Sequence, residues 1–247
     1  MKRFLGAVVA TTLLSVLGSP VWADDQDTKA ILDKAIKALG GEAKLGKALA
    51  FSSKAKGTIR FGGNENPFNS QLTVKGLDHY RSEFGNDMFQ GVVVLAGDKG
   101  WRKFGDNLME MDADAVANEK RNIYLQVVPV TLVPLKGKGF KVESVGEEKV
   151  GDKPAVGLKA TGPDGKDFNL YFDKESGLPV KLTAKVIGFM GEEFTQETTF
   201  GDYKDFDGIK KATKVEVKRG GETFLEQEVT EFKALDKVPP ETFAEPK

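Results

Sequence analysis

Cysteine is absent from this chain, and histidine occurs once, at His79. Without thiols there is no disulfide and no thiolate metal site. A single imidazole excludes multi-histidine zinc centres and His–Cys pairs, and any Ser–His triad would have to use His79. An excess of positive charge is also missing: 36 Lys and Arg stand against 37 Asp and Glu. That balance does not suit a nucleic-acid polyanion, so no nucleic-acid partner is expected. No G-x-S-x-G, H-E-x-x-H or P-loop pattern occurs. There is no fixed-period repeat, no low-complexity linker and, beyond the first residues, no apolar run long enough for a stable transmembrane segment. The stretch "GDYKDFDG" invites a Ca²⁺ loop, but aligning Asp205, Asp207 and Gly208 puts Tyr203 first and Lys214 where a bidentate Glu belongs. It reads as a solvated turn. No metal and no cofactor are expected.

What is present starts with an export signal. A basic Met1-Lys2-Arg3 leads into "FLGAVVATTLLSVLG", and "VWA" ends at Ala23 with the small residues a signal peptidase requires. Residues 1–23 are read as a removable signal peptide and 24–247 as one domain. Since no Cys follows, there is no lipid attachment point. The product is expected to be exported, to the periplasm of a Gram-negative-type bacterium.

Hydrophobic periodicity then changes three times. In "DDQDTKAILDKAIKALGG", Ala30, Ile31, Ala35, Ile36 and Leu39 recur at helical spacing and Gly40-Gly41 ends the helix. "EAKLGKALA" adds a short helical turn. From Phe51 the period is two: Phe51, Ser53, Ala55, Gly57, Ile59 and Phe61 share a face opposite Lys54, Lys56, Thr58 and Arg60. Phe68, Ser70, Leu72 and Val74, then Tyr80, Ser82 and Phe84, repeat the alternation, which turns His79 toward water. Val92–Leu95 is apolar on both faces, so a cover is expected on each side. "ADAVANEKRNIYLQVVP" predicts a helix ending near Pro129. Strands resume at Phe140 and run to Lys233 through Gly-containing hairpin connections such as "KESG", "DFDG" and "RGG". The fold class is mainly β with a few helices (α+β). Its architecture is a long, curved antiparallel sheet, an open half-barrel of about eleven strands with helices covering the concave face.

Several inward positions are small: Ser53, Ala55, Gly57, Ser70, Ser82 and Ala184. They leave room for a pressed-in helix or for a ligand. "IYLQVVPVTLVPL" is either a lid over the concave face or a second layer of core. The tip "VIGFMGEEF" either offers Phe189 and Met190 to a ligand, partner or membrane, or folds back on the core. The acidic pairs Glu147-Glu148 and Glu192-Glu193 flank turns and read as solvated charge rather than as a catalytic pair.

Three stretches resemble the outer-membrane lipoprotein-sorting proteins, the LolA/LolB-like superfamily of periplasmic carriers. "GVVVLAGDKGWRKF" is similar to that family's strand–Asp-Gly-Lys–aromatic hairpin, with the order Gly97-Asp98-Lys99-Gly100-Trp101. "NLYFDKESGLPVKL" is similar to its Asp-Lys-x-x-Gly-Leu hairpin, and the ending "VPPETFAEP" to its tail. The resemblance implies an open curved sheet, an apolar cavity for acyl chains, outer-membrane biogenesis as the setting, and no enzyme activity. The chain departs from the carriers at Gly76-Leu77, where they have Arg-Pro and where that arginine takes part in opening and release. The expected function is a non-enzymatic carrier of lipid or lipidated protein under a helical lid; the alternative is a ligand-free structural or protein-interaction module of the envelope. Expected partners are lipid or lipoprotein acyl chains and envelope proteins. Expected cavity-lining residues are Phe61, Leu72, Val74, Phe84, Val92, Val94, Trp101, Phe168, Leu170, Phe172, Leu182, Phe189 and Met190.

Overall fold

A computed structural model of the chain describes residues 25–188 and 191–247. The signal-peptide segment 1–23 and the tip residues Phe189 and Met190 lie outside the described residues. Helix α1 (Asp25–Leu39) follows the expected spacing, burying Leu32, Ala35, Ile36 and Leu39, and a short helix α2 (Glu42–Lys47) buries Leu45.

The strands come in two blocks. The first is β1 (Ala50–Phe61), β2 (Asn64–Lys75), β3 (His79–Gly85), β4 (Gln90–Ala96), β5 (Lys99–Phe104) and β6 (Asn107–Glu110). Helix α3 (Ala113–Thr131) intervenes. The second block is β7 (Lys141–Val150), β8 (Lys153–Thr161), β9 (Asp167–Asp173), β10 (Pro179–Ile187), β11 (Glu193–Phe206), β12 (Ile209–Arg219) and β13 (Glu222–Ala234). All thirteen form one antiparallel sheet in the order β6-β5-β4-β3-β2-β1-β13-β12-β11-β10-β9-β8-β7. Thirteen strands replace the expected eleven or so, because even the four-residue β6 pairs with β5. Only β1 and β13 are brought together from distant parts of the chain; every other pairing is a hairpin with the next strand.

Antiparallel partners share a face, so the register sorts side chains into rows. Phe51, Val74, Tyr80 and Leu95 form one buried row across β1–β4. Leu158, Leu170 and Leu182 form another across β8–β10, each fully buried. Helix α3 lies over the concave face and packs on β10. Its N-cap Asp112 accepts a hydrogen bond from the Ala115 N–H at 2.8 Å.

Helix α3 ends near Pro129, as expected, running two residues past it to Thr131. Proline so near a C-terminus removes one donor of the last turn, and the burial of Val127, Val128 and Val130 holds that turn in place. Leu132 closes the helix in the left-handed region at φ 57°. His79 does not simply face water: it is half-buried, its ring lies edge-on to Phe243 at 5.3 Å, and Nδ1 is 2.8 Å from an Asp78 carboxylate oxygen. The C-terminal turn Pro240–Phe243 packs over β3 and β4 on the outer face. It supplies the second cover that a strand apolar on both faces requires.

Leu170 lies at the centre of the leucine row. Leu170→Ala should therefore cost about 3 kcal/mol of stability, the usual loss when a fully buried leucine leaves a cavity. Urea unfolding measures this; a loss below about 1 kcal/mol would show that this row is not the packed centre of the sheet.

Candidate functional site

The packed row does not extend along the whole sheet. Beyond Val74 and Tyr80, the next rows on the concave face of β1–β3 run Ser53–Leu72–Ser82 and Ala55–Ser70–Phe84. Four of those six side chains are small, and the space they leave is not taken up by α3. It remains as a cavity of about 430 Å³ between α3 and strands β1, β2, β3, β11, β12 and β13. Its floor is Phe51, Ser53, Ala55, Ser70, Leu72 and Ser82. Leu125, Gln126 and Val130 of α3 form its roof, and Thr198, Phe200, Val215, Val217 and Val229 its far wall.

The lining residues Ile59, Phe68, Phe84, Phe89, Gln196, Arg219, Phe224 and Leu225 all lie toward one end of their strands, by the tips of the β1–β2, β3–β4, β10–β11 and β12–β13 connections. That end is the rim. Lys211, at the other end of β12, lines the inner part. The Phe84 ring lies so close over Gly91 that a β-carbon there would sit 2.6 Å from it, so glycine lets the ring lie flat beside the rim. A broader hollow of about 870 Å³ adjoins the cavity at Phe68, Val215 and Gln227. Its walls are Lys56, Lys204, Lys214, Glu226 and Glu228, so it is an open charged groove that gives apolar matter no shelter.

Helix α3 is tied down by three consecutive residues. Glu119 is 3.2 Å from Arg102 of β5, and Lys120 is 2.6 Å from Asp98 in the β4–β5 turn. Arg121 points the other way: it donates to the backbone carbonyls of Lys166 and Asp167 at 3.2 and 2.6 Å, at the β8–β9 hairpin. Burial pushes the Glu119 carboxyl above the usual carboxylate range, opposed by the Arg102 guanidinium. Burial also lowers the Arg121 guanidinium, against Asp164 and Asp167.

The expected lining residues divide into five groups. Leu72 and Phe84 line the cavity. Val74, Phe168, Leu170, Phe172 and Leu182 are buried in the packed core. Phe61, 62% exposed, stands at the β1–β2 tip outside it. Val92, Val94 and Trp101 lie on the outer face: β3–β4 pairing sets Val92 opposite Glu83 and Val94 opposite Arg81, and Trp101 pairs with Val94. Their inward neighbours are Val93 and Leu95. Because β4 is apolar on both faces, its sequence carried no mark of which side was in. Phe189 and Met190 lie outside the described residues.

The polar lining residues Lys211, Arg219, Gln196 and Gln126 were not anticipated. Lys211 and Arg219 carried a signal nonetheless, since they share the parity of Ile209, Val215 and Val217 in β12. Of the four acids that resembled solvated charge, three sit in ion pairs: Glu147 with Lys174 at 2.6 Å, Glu148 with Lys181, and Glu193 with Lys185 at 2.7 Å. In "GDYKDFDG", the Asp205 carboxylate accepts the Gly208 N–H at 2.7 Å, as a turn residue does. Among the described residues no three His, Asp or Glu side chains gather as a metal site. Gly76 occupies φ 68° in the turn after β2, a left-handed conformation in which arginine would be strained.

No protein-family model matches this sequence, and no curated protein matches it. Solved structures do. A LolA superfamily protein from Nitrosomonas europaea aligns with 88% of this chain and 97% of its own at TM-score 0.58 and 12% identity. A DUF1329 family protein from Desulfovibrio piger aligns with 88% and 97% at TM-score 0.54 and 14% identity. A domain assigned to outer membrane lipoprotein sorting, from Vibrio parahaemolyticus, aligns with 86% and 97% at TM-score 0.53 and 10% identity. The chain has a LolA/LolB-like fold. Among the described residues, no helix is long and apolar enough to cross a membrane.

The buried amine of Lys211 has a consequence for stability. Burial pushes its pKa from 10.5 down to about 8. The native state then binds fewer protons than the unfolded chain between those values, so stability rises as pH climbs through that window, and below pH 8 the full cost of charging the amine is present. Lys211→Met should make the protein more stable at pH 7 by about 2–3 kcal/mol, with the gain fading toward pH 10.5. Urea unfolding at both pH values checks this; a destabilised Met variant would mean that the amine has a stabilising partner.

Proposed function

We propose that this protein is an exported, periplasmic, non-enzymatic carrier that shelters an acyl chain of a lipid or lipidated protein between its curved sheet and α3. The observation that carries this reading is the cavity of about 430 Å³ over a floor of small side chains. Its size falls within the roughly 300–1,000 Å³ of small-ligand pockets, toward the lower end, which suits one chain better than several. Burying a methylene is worth about 0.8 kcal/mol, so a sixteen-carbon chain needs about 12 kcal/mol of shelter. Phe51, Ala55, Ile59, Phe68, Leu72, Phe84 and Phe89, set between the serines of the floor, supply apolar surface toward that demand. The sorting function named for the Vibrio parahaemolyticus domain agrees with a lipid ligand. The absence of Arg-Pro at Gly76-Leu77 favours acyl chains in general over a dedicated lipoprotein relay.

Since α3 is held on both sides, we infer that the chain enters by the rim and not by displacement of the whole helix.

The neutral fluorophore N-phenyl-1-naphthylamine tests this. The protein should take it up saturably, with a blue-shifted emission, and a long-chain alcohol should displace it. Filling the floor with Ser70→Leu and Ser82→Leu together should weaken uptake by about tenfold or more, a loss of about 1.4 kcal/mol, while leaving the fold at least as stable. If the unaltered protein takes up no probe, the ligand-free envelope module is the better account.

A further inference from the structure

The cavity wall is uneven in charge. Three ionised side chains of the wall belong to residues with a known engagement or none: Glu119, Arg219 and Lys211. Glu119 is committed to Arg102. Arg219 lies 3.9 Å over the Phe224 ring and donates from Nε to Gln196 at 3.1 Å, so its guanidinium is already packed and bonded at the rim. Lys211 has no hydrogen bond and no ion pair with any described residue. It is half-buried and lines the inner part of the cavity. Burying an unpaired ammonium is costly, and a protein keeps one where an anion completes it. The depressed pKa of its amine agrees with that deficit.

The dimensions agree as well. Lys211 and Arg219 are eight residues apart on one strand, about 26 Å at 3.3 Å per residue. That is the scale of one extended alkyl chain lying along β12, past Val215 and Val217, from the inner end to the rim.

We propose that the ligand is a single-chain amphiphile with an acidic head group, carboxylate or phosphate, bound head inward with the acid paired to Lys211 and the alkyl chain running toward the rim. This rests on the carrier reading above and specifies its ligand. It reverses the arrangement expected of a simple grease pocket, in which the polar head stays in water.

Isothermal titration calorimetry of the full chain at neutral pH with dodecanoate, dodecyl phosphate, dodecanol and dodecyltrimethylammonium tests it. At least one of the two acids should bind about tenfold or more tightly than dodecanol, and the cation should bind most weakly. The comparison of the two acids identifies the head group. Lys211→Met should erase the acid preference, and cooperative urea unfolding checks that the variant is folded. Arg219→Gln should keep the preference. Equal binding of acids and alcohol by the unaltered protein would overturn the inward acid while leaving the carrier reading intact. A preference that survives Lys211→Met but vanishes in Arg219→Gln would place the head at the rim and overturn it too. If no dodecyl compound binds, both readings fall.

Discussion

Three consecutive side chains of one helix hold this molecule in its shape. Glu119 and Lys120 reach Arg102 and Asp98 near one edge of the sheet, while Arg121 reaches the β8–β9 hairpin near the other. In sheet order Arg102 on β5 and Asp167 on β9 are nine positions apart. An open sheet of thirteen twisted strands has no intrinsic reason to bring them to one helix; twist curls it, and the ties fix how far the curl goes. The Glu119–Arg102 pair and the Arg121 tie are partly buried and charge-assisted, so loss of one partner strands an ion in a poor solvent, whereas Asp98 is exposed and its pair with Lys120 adds little. The concave space exists because this clamp sets its width while the side chains beneath it fall short of filling it.

That shortfall is local. Under the β8–β10 side of α3 the leucine row, Phe168 and Phe172 fill the space completely. Under the β1–β3 side, serines and alanine stand where the other half has leucine and phenylalanine. One helix therefore rests on a solid half and spans a hollow half. The solid half contributes the folding energy, and the hollow half can be left unfilled because the other offsets the cost. The lysine in the hollow is a further expense of the same kind, tolerable because the packed rows are large.

The sequence made the architecture legible because a hairpin meander declares itself locally: alternation, Gly-containing turns and a break in period at α3 need no long-range information. The small inward residues Ser53, Ala55, Ser70 and Ser82 were readable as unfilled space for the same reason. What alternation could not supply was the side of a strand that is apolar on both faces, which sent Val92, Val94 and Trp101 to the wrong surface. Nor could it tell a large inward residue that fills the core from one that lines a void: Phe168 and Phe84 look alike in sequence and differ only in whether α3 presses on them. The inward charges were passed over because Lys211 and Arg219 stand in "KKATKVEVKR", where lysine on both faces hides the two that turn in. Pairing register, which no single strand contains, resolves the first and the third; the second needs the position of α3.

Native mass spectrometry of the protein taken from the cell envelope without detergent tests the hollow most directly. The account predicts a population heavier than the polypeptide alone by the mass of one lipid-sized molecule, lost on extraction with organic solvent and absent when Ser70 and Ser82 are both replaced by leucine. A single species at the bare polypeptide mass, which gains nothing after incubation with total envelope lipid, would contradict it.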